Sequence, residues 1–456
     1  MKLKWMAEKT LSGGTHFDGK NHLFSEHNLE WDGKAGNTSE VLLEHIDPLH
    51  TKAMALIGPI PDDTKVKYRI LGVEDNVALT DTFRFNHIMN SRLHGGHNTT
   101  FLLYGDNQMG ESTFRHMLKT SKTTMSKRSK KSRSQLSFDY TIHVGDAVQR
   151  KWSLVDWEYN FFKPLEWAGM SQTIPIIHAP GNHDHDESTE PWNRNLYFDI
   201  YHGLDDLRFA FKRVLDWEGA DKNTNEIQTH YPHEMTTIND SFRDYIKGTR
   251  GNYHQSYFST RISGAHIIVL DSQCASRSQL RFLEKELEST YQDPDVNFVI
   301  VVVHIPPYVE YWDPVSWFEK GEKYWGREVK EEYDVLFRKY MVDLVVSGHQ
   351  HNYQRSKIKD SNQEGYVAGE NAINPVYAII GGAGGTLDTE QVEEYSMYDV
   401  TSIQFHYVEL SITSHTLYWT ARDAFSGKIF DEFTLPNRQR RMRLNQAINI
   451  AKSFNS

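Results

Sequence analysis

The chain has 456 residues, more than one ordinary core accommodates, so two domains are expected. Its 38% hydrophobic, 12% aromatic and 24% charged residues describe a folded chain and exclude a disordered one. The net charge of −11 argues against a general nucleic-acid binder, and a single cysteine, Cys274, excludes an intrachain disulfide and a thiolate metal cluster.

The first ten residues, MKLKWMAEKT, carry basic side chains but no apolar run. No signal peptide is visible, which favours a cytoplasmic location. No stretch approaches the roughly 20 apolar residues of a membrane span. Residues 1–38 read as a polar, unpatterned N-terminal extension. A small all-β sandwich domain is expected over 39–95, where Val66, Tyr68 and Ile70 alternate with Lys65, Lys67 and Arg69. Gly95-Gly96 sits in a linker-like stretch.

From residue 96 to about 436 the texture changes. Apolar strands end repeatedly in Gly plus an acid, amide or histidine. Phe101–Tyr104 runs into Gly105-Asp106-Asn107-Gln108, and Tyr140–Val144 into Gly145-Asp146-Ala147-Val148-Gln149. Ile174–Ala179 runs into Pro180-Gly181-Asn182-His183-Asp184, and Val299–Val303 into His304-Ile305-Pro306-Pro307. Met341–Val346 runs into Ser347-Gly348-His349-Gln350-His351. Helical patterns separate these strands, clearest over Ser278–Leu287. Strands alternating with helices imply an α/β layered domain, with sites beyond the carboxyl ends of the strands.

Asp106, Asp146, Asn182, His304, His349 and His351 offer oxygen and nitrogen ligands without sulfur. Such a set suits Fe, Zn or Mn. A strand-end aspartate can bridge two cations. Two metals about 3.5–4 Å apart can hold a hydroxide and clamp both oxygens of an in-line phosphoryl displacement.

Gly105-Asp106, Gly145-Asp146, Gly181-Asn182-His183-Asp184, His304 and Gly348-His349-Gln350-His351 resemble the five blocks of the calcineurin-like metallophosphoesterases. Within that superfamily the chain is similar to the purple acid phosphatase branch. The similarity lies in Gly348–Arg355 (GHQHNYQR), in Pro375–Tyr377 with Gly381–Gly385, and in the leading β region around PDDTKVKYRI. The resemblance implies a four-layer α-β-β-α sandwich preceded by a fibronectin-like domain. It also implies two divalent or trivalent cations: Asp106 and His351 on the first, Asn182, His304 and His349 on the second, Asp146 bridging. His183 would contact phosphate or protonate the leaving group, and Arg355 is a weaker phosphate candidate.

Three departures accompany the resemblance. Gln149 stands where the purple enzymes place a metal-binding tyrosine. Gln108 stands where other members place a histidine. No histidine lies in the stretch after His304, which carries Tyr308, Tyr311, Trp312 and Asp313 instead. One of the glutamines can complete the first site only through its carbonyl oxygen. The resemblance implies hydrolysis of phosphate monoesters by a metal-bound hydroxide, on a small phosphate-ester substrate. A phosphodiesterase or nucleotide pyrophosphatase, with Tyr308, Tyr311 and Trp312 stacking a base, is the alternative. A non-catalytic binding protein that keeps the fold is the third reading.

Two basic stretches remain. Residues 122–133 read as a flexible loop on the face away from the site. The tail, 437–456, holds Arg438–Arg443 and reads as a short helix docking on its own domain.

Overall fold

The computed structural model describes residues 2–8, 24–31, 37–45, 50–56, 64–72, 83–87, 98–128, 138–185, 197, 256–273, 276–291, 293–357 and 375–437. The chain divides into two compact units. One comprises Met1–His87 with Thr189–Gln255, the other Ile88–Ser188 with Ser256–Ser456.

The first unit carries one six-stranded sheet. Its strands are β1 (Lys2–Glu8), β2 (Phe24–Trp31), β3 (Asn37–His45), β4 (His50–Leu56), β5 (Thr64–Gly72) and β6 (Phe83–His87). They lie in the order β1-β4-β3-β2-β5-β6, and every pairing is antiparallel. The alternation in β5 is realised: Val66 is buried and Lys67 exposed, while the Tyr68 ring meets Phe85 of β6 at 6.1 Å. The stretch read as unpatterned holds β1 and β2. Its signal was present but thin, since Leu3, Trp5 and Ala7 alternate with Lys2, Lys4 and Met6 over one short segment.

The second unit is two mixed sheets. One contains β7 (Thr99–Tyr104), β8 (Tyr140–His143), β9 (Ile176–His178), β17 (His406–Ile412), β18 (Thr416–Asp423) and β19 (Ile429–Pro436), in the order β19-β18-β17-β7-β8-β9. The other contains β10 (Phe258–Ile262), β11 (Ala265–Leu270), β12 (Phe298–Val303), β13 (Leu344–Ser347), β14 (Tyr353–Ser356), β15 (Val376–Ile380) and β16 (Tyr398–Ser402), in the order β10-β11-β12-β13-β15-β14-β16. In the first sheet the run β7-β8-β9 at one end is parallel, and in the second the central run β11-β12-β13-β15 is parallel.

The sheets pack face to face through Phe101, Leu103, Ile142 and Val408 on one side and Ile267, Ile300, Val346 and Ala378 on the other. Strands buried on both faces need apolar residues at every position, which is why β12 reads FVIVVV. Helix α1 (Glu111–Arg128) buries Phe114, Met117 and Leu118 and packs on β17. Helix α2 (Arg277–Tyr291) lays Leu283 and Leu287 on the outer face of the other sheet, beside Phe337 of α3 (Asp334–Lys339). The layers therefore run α-β-β-α.

One expectation is corrected here. Residues 122–128 are not loop; they are the last turns of α1, and Lys122 Nζ donates to the Ala168 carbonyl at 2.6 Å. Lysine, methionine and arginine are good helix formers, and their charge hid that propensity. Residues 129–137 and the basic tail from 438 lie outside the described residues, as does Cys274.

Candidate metal centre

The parallel strands β7, β8, β9, β12 and β13 end at Asp106, Asp146, Asn182, His304 and His349, so these side chains gather along one edge of the double sheet. The turn geometry is unusual. Asp106, Asp146 and His349 take left-handed backbone conformations, with φ of 59°, 56° and 70°. Each costs about 1–2 kcal/mol for a residue with a Cβ. Each turns the chain sharply off its strand and returns the side chain over the sheet edge. Cross-ties hold the turns together: Asp106 N–H donates to the Gly145 carbonyl, Gly348 N–H to that of His304, both at 2.9 Å. Two glycines are required by close approach. A Cβ on Gly181 would lie 2.1 Å from Asp146 Oδ1, and one on Gly348 would lie 2.2 Å from Asp106 Oδ2.

The donor atoms fall into two groups. In one, Asn182 Oδ1 lies 2.9 Å from His304 Nε2 and 3.0 Å from His349 Nδ1, and His304 Nε2 lies 3.4 Å from Asp146 Oδ2. In the other, His351 Nε2 lies 3.7 Å from Asp106 Oδ1 and 3.1 Å from the Gln108 amide, which is also 3.1 Å from Asp146 Oδ2. Asp146 is common to both groups. Asp106, Asp146 and His304 bring one ligand atom each within 4.8 Å of one another.

The tautomers are set by carbonyls. His304 Nδ1–H donates to the Val144 carbonyl at 2.9 Å, and His351 Nδ1–H to that of Thr386 at 2.6 Å. In their neutral form both rings therefore turn an Nε2 lone pair toward the cluster. Acceptor faces acceptor across buried space, and Asp106 Oδ2 and His349 Nε2 have no hydrogen-bond partner. A positive species relieves such an arrangement, whether a proton on His304 Nε2 or a bound cation. The basicity of His304 reports the same field. Burial lowers it, but the Asp146 and Asp106 carboxylates outweigh burial and push it up to about 9. Burial drives the Asp106 carboxyl well above its ordinary range, with the Asp146 charge adding to the rise. Asp146 is also buried, yet His304 and His183 hold it below the carboxylate range. This nitrogen–oxygen set fits two cations sharing Asp146.

His183 lies beside Asp146. Its backbone N–H donates to Asp146 Oδ1 at 2.8 Å, and its Nδ1–H to the Gln149 carbonyl at 3.2 Å, which leaves Nε2 as the outward atom. Gln149 thus enters the site through its backbone.

Several supporting residues escaped the sequence reading. Asp184 accepts the backbone N–H groups of Asp146, Ala147 and Gly181 at 2.8, 2.8 and 2.9 Å. Asp388 Oδ2 accepts the backbone N–H of His351 at 2.7 Å. Asn107 Oδ1 takes the His143 Nε2–H at 2.7 Å, and its amide bonds the Ala147 and Asn160 carbonyls. Gln350 Oε1 accepts the N–H groups of Glu310 and Tyr311, both at 2.7 Å, and so fixes the loop after β12. A polar residue wedged between the two histidines of the His349-Gln350-His351 motif was the available signal for Gln350.

That loop sets Trp312 on the His349 ring at 4.4 Å and 22°. Trp325 meets the same ring at 4.6 Å and 24°, and the two indoles are 5.5 Å apart. The three rings form a triangle that keeps water from one side of His349. Tyr308 and Arg355 are not brought to the centre. The Tyr308 hydroxyl donates to Asp334 and accepts from Arg338, each at 2.9 Å. Arg355 makes a buried two-pronged pair with Asp431 at 2.7 and 3.0 Å.

Two face-to-face mixed sheets with a nitrogen–oxygen donor cluster at the carboxyl ends define the architecture of a metallophosphoesterase. A family model described as calcineurin-like phosphoesterase matches residues 93–353, and the chain belongs to that family. A purple acid phosphatase of Glycine max is 31% identical over 176 residues, covering 36% of this chain and 36% of that protein. The match thus spans little more than a third of that relative's length. A nucleotide pyrophosphatase/phosphodiesterase of Hordeum vulgare is 21% identical over 309 residues, 66% of this chain and 72% of that protein. The solved structure of the purple acid phosphatase PPD1 from yellow lupin (Lupinus luteus) seeds has the same fold, with a TM-score of 0.63 at 15% identity over 95% of this chain and 72% of that one. Among the described residues no helix is long and apolar enough to cross a membrane.

Proposed function

We propose that the chain hydrolyses phosphate monoesters at a centre of two cations. The observation that supports it is the pair of donor groups meeting at Asp146, with acceptor atoms facing one another at His304 Nε2 and Asn182 Oδ1 in one and at His351 Nε2 and Asp106 Oδ1 in the other. When bound, the cations supply Lewis acidity and a water activated near neutral pH. The first is assigned to Asp106, Asp146 and His351, the second to Asp146, Asn182, His304 and His349. Asp184 and the cross-ties hold Asp146 in line between them. His183 is the acid: with Nδ1–H fixed on Gln149, its imidazolium donates from Nε2 to a phosphoryl oxygen or to the departing alkoxide. Trp312 and Trp325 exclude water from the His349 side and orient its ring.

The diesterase reading is the alternative, favoured by the nucleotide pyrophosphatase/phosphodiesterase of Hordeum vulgare, of which this chain covers 72%. Base stacking by Tyr308 finds no support, because its ring packs between Tyr377 and Tyr395. The same proposal takes the N-terminal sheet as part of a fibronectin-like leading domain, the catalytic domain as 96–436 and the tail as 437–456.

The test is a panel of aryl phosphate mono- and diesters assayed with added Mn, Zn or Fe, alongside Asp146→Asn. Metal-dependent monoester turnover lost in Asp146→Asn is the expected result. Preference for diesters selects the alternative. Cation binding without turnover of either ester overturns both and leaves a binding protein.

A further inference from the structure

The geometry points to Gln108 as the fourth protein ligand of the first cation, offering its side-chain Oε1 in place of a histidine or tyrosinate. This rests on the two-cation reading above and deepens it.

Gln108 is 1% exposed, and its amide nitrogen lies 3.1 Å from Asp146 Oδ2 and 3.1 Å from His351 Nε2. Its Oε1 has no hydrogen-bond partner. A half-turn about the Cγ–Cδ bond exchanges the two ends without moving the rest of the side chain. Oε1 then stands 3.1 Å from both neighbours. Two ligands at right angles on one cation, each bonded at about 2.1 Å, lie about 3.0 Å apart. The spacing at Gln108 is that of such a ligand pair, made twice. His351 supports the assignment, because its Nδ1–H is committed to Thr386 and its Nε2 therefore offers a lone pair to the same point. Gln149, the other candidate, contributes its backbone carbonyl to His183 instead.

The chemical consequence concerns which cation is held. A carboxamide oxygen is neutral and hard. The first cation would face the carboxylates of Asp106 and Asp146, one neutral imidazole and one amide. Two negative charges, one shared with the second cation, suit an exchangeable divalent ion such as Mn²⁺ and disfavour a ferric ion.

The test is calorimetric titration of the full-length chain with Mn²⁺, with Mn²⁺ EPR to detect a coupled pair. The wild type, Gln108→Ala, Gln108→Glu and Gln108→His are compared, and thermal melts verify that each variant folds. Wild type is expected to bind two ions in two steps. Gln108→Ala should weaken one of the two steps by about 10–100-fold or more and leave the other unchanged. Gln108→Glu and Gln108→His should strengthen that same step. Unchanged or tighter binding in Gln108→Ala overturns the proposal, because the amide would then be a bystander or a plug. A single ion in wild type that Gln108→Ala retains overturns it equally. If wild type binds no ion, the two-cation reading itself fails, and the wild-type titration alone reveals that.

Discussion

The Asp184 carboxylate fixes the backbone of Asp146, taking its N–H at 2.8 Å while holding Gly181 with the same oxygen and Ala147 with the other. One buried side chain therefore ties the turn carrying Asp146 to the turn carrying Asn182 and His183. In Asp184→Asn one oxygen becomes an NH₂ group that faces an N–H and cannot accept from it. We predict that this variant loses affinity for the second cation by about 10–100-fold, with a lower melting temperature. Cation titration at matched folding decides it, and unchanged affinity would remove Asp184 from the machinery.

His183 has a separable prediction. As an acid it acts on the departing group, so His183→Ala should slow an alkyl phosphate by roughly 10²–10⁴-fold while both cations stay bound. A nitrophenyl phosphate, whose leaving group needs no proton, should lose less. Equal losses on both esters, with cations gone, would reassign His183 as a brace for the Gly181-Asn182 turn.

The indoles at His349 lead to a third. Trp312→Ala opens one side of the imidazole to water and frees its ring to rotate, so the second cation should bind more weakly and turnover should fall. Trp312→Phe keeps a flat ring against His349 and should recover most of both. If the phenylalanine variant behaves like the alanine one, the contact is not what matters, and the indole's hydrogen bond to Glu322 becomes the better explanation.

Acid stability follows from His406. Burial lowers its pKa to about 4, against an ordinary 6.5. Between these values the unfolded chain binds a proton that the folded chain refuses. Stability from this residue is therefore present above about pH 6.5 and is lost as pH falls toward 4, by about 1.4 kcal/mol per unit at the steepest. The prediction is that the melting temperature drops from pH 7 to pH 5, and that the drop is smaller in His406→Gln. An equal drop in the variant would assign the acid sensitivity to other groups, His178 first, whose pKa burial lowers to about 3.

The five donor-bearing turns were legible because each follows a short apolar strand, and parallel strands deliver their ends to one edge. The alternation at Val66 and Tyr68 was legible for the same reason, a period with a physical cause. Asp184, Asn107 and Asp388 were not, because they act on backbone groups of residues far along the chain, and no spacing encodes that. Trp325 approaches His349 from the segment between two helices, where the sequence shows no period. Tyr308 and Arg355 misled in the opposite direction. Both stand near a motif in sequence, but Asp334 and Asp431, distant in the chain, draw their polar groups away. Helix α1 was hidden by its own charge.

The Asp106–His349 hydrogen bond, 2.7 Å long, joins positions 243 residues apart. Closing so long a loop is paid in chain entropy before any contact rewards it, and topologies dominated by such contacts fold slowly. The donor cluster therefore cannot be complete until this long loop has closed. While the chain is being synthesised, Asp106 and Asp146 emerge long before the strand that brings His349, and during that interval no complete site is available to capture a cation. Uptake of the ion should lag behind the appearance of sheet signal in refolding, so a chelator added early would delay activity without delaying collapse. Simultaneous onset of cation binding and secondary structure would show instead that the ion helps to nucleate the fold.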